Sequence, residues 1–103
     1  MNSLQVVVRL WIHPGRVTEF EAYERKAARI MRLHGGNLHK SVRIDATASS
    51  SSEAPFEVHV LDFPSREAFQ TYGCDPNLVA LAAERAAAIA RTEVLLGSCA
   101  PQY

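Results

Sequence analysis

Between Leu4 and Gly36 the spacing of apolar residues changes once, from every second position to every third or fourth, and the change falls on Pro14-Gly15. Residues two apart share one face of a strand, and residues three and four apart share one face of a helix, so this stretch is confined to a strand followed by a helix. In the strand, Leu4 to Ile12, the residues Val6, Val8, Leu10 and Ile12 fall on one side. Val7, Arg9, Trp11 and His13 fall on the other, a mixture that suits a central strand covered on both faces. The helix carries Val17, Phe20, Tyr23, Ala27, Ile30 or Met31, and His34 along its inner stripe. Arg16, Glu21, Arg25, Lys26, Arg29 and Arg32 take the outer side, and Gly35-Gly36 stops the helix.

The rest of the chain repeats the pattern with an extra strand. Leu38 to Ile44 alternates, with Leu38, Val42 and Ile44 on one face and His39, Ser41 and Arg43 on the other; Lys40 interrupts the apolar face as edge strands often do. Asp45 to Pro55, including Ser49 to Ser52, is poor in apolar residues and is expected to be a mobile hairpin loop without a function. Phe56 to Phe63 is the third strand, and folding the hairpin about the serines sets Arg43 opposite Glu57 and Ser41 opposite His59. Ser65 is the expected N-cap of a short helix with Phe69 and Tyr72 inward, which breaks near Gly73. Asp75-Pro76 restarts it, with Leu78, Leu81, Ala82, Arg85 and Ile89 inward, and Thr92 to Leu96 is the fourth strand before a frayed tail.

The order βαββαβ in 103 residues predicts one domain spanning residues 1–103. Its class is α+β: a ferredoxin-like, antiparallel four-stranded sheet of order 4-1-3-2 with two helices on one face. The helices are expected to cover Val6, Val8, Leu10, Val58, Val60, Val94 and Leu96. The other parity, Arg9, Trp11, His39, Arg43, Glu57, His59, Leu61 and Glu93, would form the uncovered face, where a second copy of the chain supplies the cover. A homodimer is the expected partner state.

Eleven basic residues balance eleven acidic ones, which removes the electrostatic footprint of a nonspecific nucleic-acid or anionic-membrane binder. The start, Met1-Asn2-Ser3-Leu4, lacks the form of a signal peptide, and no apolar run is long enough to span a bilayer, so a cytoplasmic location is expected. Cys74 and Cys99 have no paired spacing and are read as free thiols.

Residues 14–25 (Pro-Gly-Arg-Val-Thr-Glu-Phe-Glu-Ala-Tyr-Glu-Arg), Gly35-Gly36, Phe63 to Phe69, Asp75-Pro76, and Leu81 through Arg85 to Gly97 resemble the family called domain of unknown function 1330, over nearly the whole chain. The opening helix is also similar to that of NIPSNAP proteins. The resemblance implies the dimeric α/β-barrel superfamily, with homodimers paired sheet to sheet, and singles out Tyr23 and Arg85 as residues recurring in the family's pattern. That superfamily includes haem-degrading and cofactor-free monooxygenases, isomerases and effector-binding domains, so it names no single chemistry.

Candidate site residues follow from charge placed where it is costly. Arg85 interrupts an apolar helical stripe and must find a carboxylate, a carbonyl or a ligand anion. Tyr23, on the facing stripe, donates its hydroxyl either to a ligand or to backbone. Arg9, Trp11 and His59 are expected as neighbours on the central strands, either as dimer-core packing or as a histidine base or haem ligand, with Arg43 and Glu57 on the same face. His13, His39 and His59 share a parity but have no carboxylate at matching depth, so no metal and no cofactor are assigned. His34 is read as a helix C-terminal cap and Cys74 as an incidental thiol. Two functions follow: binding or transforming a small aromatic or carbonyl compound, without cofactor, in a helix-sheet cleft gated by Tyr23 and Arg85; or a non-catalytic dimerisation or regulatory module, which a filled helix-sheet region would favour.

Overall fold

The computed structural model describes residues 3–103; Met1 and Asn2, part of the signal-peptide reading and of the 1–103 domain, lie outside the described residues. The strands are β1 (Leu4–Ile12), β2 (Asn37–Arg43), β3 (Glu57–Phe63) and β4 (Ile89–Gly97). Helix α1 (Val17–Leu33) joins β1 to β2, and α2 (Arg66–Gly73), α3 (Pro76–Val79) and α4 (Ala82–Ala88) lie between β3 and β4. The sheet is antiparallel throughout, in the order β2-β3-β1-β4, and the helices cover one face, as the element order requires.

The turns form where the sequence places their signals. Gly15 and Gly35 hold φ of +76° and +78°, the left-handed conformation that costs glycine nothing. Ser65 caps α2 by accepting from the Ala68 N–H at 3.0 Å, and Asp75 caps α3 by accepting from Asn77 N–H at 2.8 Å with Pro76 behind it. Only the far end departs: a bond from Leu81 N–H to Leu78 O closes α3 early, so the part expected to restart at Asp75-Pro76 forms two segments, α3 and α4. Ile89, expected in the last helix, instead opens β4 opposite Ile12 and is buried.

Two clusters make the core. Leu10, Phe20, Tyr23, Ala27, Ala88 and Ile89 fill one end, and Val6, Met31, Leu61 and Phe63 the other. Gly36 lets Phe63 pass: a Cβ there would sit 2.5 Å from its ring and 2.6 Å from Met31 Cγ.

The parity of β1 is as expected, whereas that of β3 is reversed. Val8 pairs with His59 and Leu10 with Glu57, which puts Glu57, His59, Leu61 and Phe63 under the helices and Val58 and Val60 on the open face. Arg43, Glu57 and His59 are therefore not open-face residues. The register of the hairpin itself holds, with Arg43 opposite Glu57 and Ser41 opposite His59. An irregularity between Leu38 and Lys40 lets Leu38 pair with inward Leu61 while Val42 pairs with outward Val58, so those two do not share a face. The serine loop is also more ordered than expected. Asp45 caps a 3₁₀ turn over Ala46–Ala48, and the Trp11 indole N–H donates to Glu53 O at 3.1 Å.

Candidate functional site

On the helix side, neighbouring rows of the sheet read Ser41, His59, Val8, Val94 and Arg43, Glu57, Leu10, Thr92. Above them α1 presents Tyr23, Glu24 and the small Ala27 and Ala28, and α4 presents Arg85. The space left between helices and sheet is a cavity of about 410 Å³ floored by Val8 and Leu10. That size and mostly apolar lining suit a small organic molecule.

One wall is acidic. Glu57 is buried and uses both carboxylate oxygens: Oε1 accepts from Arg43 Nε at 3.0 Å and Nη2 at 2.9 Å, and Oε2 accepts from His59 Nε2 at 2.7 Å. Arg43 also donates to Glu21 at 3.0 Å and lies 4.7 Å over the Phe56 ring, so several contacts hold the guanidinium in place. His59 is buried, and its other ring nitrogen, Nδ1, stands 3.9 Å from Glu24 Oε2. Burial pushes the Glu24 carboxyl above its ordinary value, with His59 and Arg85 opposing and Glu57 reinforcing the shift. A histidine fixed through one nitrogen by a buried carboxylate has the other available for proton transfer, the arrangement general base catalysis needs.

The opposite wall is basic and phenolic. Half-buried Arg85 donates from Nη2 to Thr92 Oγ1 at 2.6 Å. Tyr23 is buried beside it; burial raises the phenol above its ordinary value while the nearby guanidinium pulls it back. Tyr72, whose hydroxyl donates to Ala27 O at 3.4 Å, is raised much further by burial. Tyr23 and Arg85 both line this cavity, side by side on the same wall.

Other residues singled out by sequence lie elsewhere. Arg9 and Trp11 are on the open face, where Arg9 pairs with Glu93 at 3.2 Å and Arg91 stacks 4.3 Å from the indole centroid. Trp11 and His59 are not neighbours, because they point to opposite sides of adjacent strands. His34 is the C-cap of α1, and its ring Nε2 also bonds Asp75 Oδ2 at 2.7 Å and holds the Asp75 carboxyl below its ordinary value. Glu24 was not singled out, although its spacing of four from Phe20 places it on the inward face of α1. Among the described residues no group of three or more His, Cys, Asp and Glu side chains is arranged to hold a metal. No described helix is long and apolar enough to cross a membrane.

No family model matches the sequence, and no curated protein matches it either. Solved structures do resemble the fold. A protein of unknown function from Rhodopseudomonas palustris superposes with a TM-score of 0.82 at 15% identity, over 98% of this chain and 85% of that one. SnoaB, a cofactor-independent oxygenase from Streptomyces nogalater, gives 0.73 at 17% identity over 99% and 97%. A dabb family protein with a ferredoxin-like fold from Mesorhizobium loti gives 0.67 at 16% over the whole of both chains. The fold is therefore the ferredoxin-like one. The narrower resemblance to domain of unknown function 1330 has no matching family model behind it.

Proposed function

We propose that this chain binds a small aromatic or carbonyl compound in the helix-sheet cavity and acts on it by proton transfer, as a homodimer paired through the open sheet face. The observation that carries this reading is the buried Glu57–His59 pair, at 2.7 Å, in the wall of a cavity of about 410 Å³. An open cavity speaks against the alternative, a module whose helix-sheet region is simply filled. SnoaB, a cofactor-independent oxygenase, is an instance of chemistry without a bound cofactor on a similar fold.

Acid and base are separately supplied. His59, oriented by Glu57, takes a proton from the bound compound through Nδ1, and Glu24 or Tyr23, both held toward their protonated forms by burial, returns one. The test is a ligand screen by thermal shift on the wild-type protein, repeated with His59→Gln, Tyr23→Phe and Arg85→Ala. Hits are expected to lose most of their shift in Tyr23→Phe and Arg85→Ala, while His59→Gln keeps binding and loses turnover. Shifts of the same size in every variant would exclude the cavity as the site.

A further inference from the structure

We infer that Arg85 is the anion subsite of this cavity and that its occupant is an aromatic or conjugated compound bearing an anionic oxygen, a carboxylate above all. The inference deepens the proposed function and rests on it for the cavity being a ligand site.

Arg85 lines the cavity, yet its side-chain partners among the described residues are neutral hydroxyls, that of Thr92 at 2.6 Å and that of adjacent Tyr23. Among the described residues no carboxylate stands within 4.0 Å of it; Glu24, whose carboxyl feels the guanidinium charge, and Glu57 both point their oxygens at His59. A guanidinium carries five N–H donors in a planar fork, so bonds to these hydroxyls leave most of its capacity unused. A half-buried cation in an apolar wall is poorly solvated, and an anion placed against it recovers that loss.

The far pole explains why the charge must come from the ligand. Glu57 is committed to Arg43 and His59, and Glu24 faces His59, so neither carboxylate forms a direct ion pair with Arg85. In the sheet, Glu57 and Thr92 flank Leu10 on opposite sides, two strand spacings or roughly 10 Å apart. Val8 and Leu10 form an apolar floor between the poles. A flat body of one or two rings fits that span, with its anionic oxygen on Arg85 and its far edge at His59. Tyr23, next to Arg85, offers a further hydroxyl donor to the same oxygen.

The experiment compares two probes of one shape, naphthoate and naphthamide, by isothermal titration against wild-type protein, Arg85→Gln and Arg85→Lys, with circular dichroism as the folding control. Wild-type protein is expected to bind the carboxylate about tenfold more tightly than the amide, the scale of a hydrogen bond to a charged group. Arg85→Gln should abolish that preference while retaining amide binding, and Arg85→Lys should keep part of it. Equal binding of both probes by wild-type protein overturns the anion subsite and leaves the cavity reading standing. A preference that persists in Arg85→Gln removes Arg85 as its source, and so does a preference wholly undiminished in Arg85→Lys should the glutamine variant not fold. Binding of neither probe at millimolar concentration defeats the cavity reading, and this inference with it.

Discussion

Glu57 orders the acidic wall because its two oxygens serve different neighbours, Arg43 and His59. Replacing it by glutamine leaves the buried His59 imidazole without its charged acceptor and Arg43 with Glu21 alone, so Glu57→Gln is expected to destabilise the fold by roughly 1–3 kcal/mol in urea unfolding. Glu24 is expected to behave in the opposite sense. Its carboxyl is raised from 4.5, mainly by burial, so the folded chain holds the proton to higher pH than the unfolded chain does. Stability from this group is therefore complete below about 4.5 and is lost as pH rises through the raised value. Glu24→Gln should flatten the decline in denaturation midpoint over that window and lie above the wild type at pH 7; parallel curves would contradict it. At Gly36 the issue is space: with Phe63 and Met31 closer than 3 Å to any added Cβ, Gly36→Ala should cost roughly 1–3 kcal/mol in the same measurement.

Among the elements, the short α3 depends on its attachments more than on its own length, since four residues cannot sustain a helix alone. His34, at the end of α1, grips the Asp75 cap of α3 at 2.7 Å. His34→Ala is expected to release that end and accelerate amide hydrogen exchange at Val79 and Ala80, whose N–H groups bond within the segment, while exchange in β1 stays unchanged. The Asp75 carboxyl, lowered first by His34 and then by the Asn77 backbone N–H, adds stability above its ordinary 3.8 that is lost as pH falls through the depressed value, and His34→Ala should reduce this acid sensitivity. Ser65, capping α2, is a simpler case: Ser65→Ala should cost about 1 kcal/mol.

For the molecule as a whole, the reversed parity of β3 changes what the open face is made of. Val58 and Val60 join Val7, Val42 and Leu95 there, with Arg9 and Glu93 paired at the side, so the face is more apolar than the sequence reading made it. A homodimer through this face predicts that Val60→Glu shifts sedimentation from dimer to monomer without altering the far-ultraviolet circular dichroism; an unchanged sedimentation coefficient would contradict it.

Local chemistry made the element order, the Ser65 and Asp75 caps, the left-handed Gly15 and Gly35, the Arg43–Glu57 pairing and the inward placement of Tyr23 readable in advance, because each depends on residues close in sequence or on periodicity alone. Which side of β3 turns inward was not readable: Glu57-Val-His-Val-Leu-Asp-Phe63 offers apolar residues to both faces. The choice rests on pairing with β1, on Phe63 filling the notch at Gly36, and on Arg43 arriving to neutralise Glu57. Those contacts join residues far apart in the chain, and they bury as a hydrogen-bonded pair two residues, Glu57 and His59, that local pattern had assigned to the open face.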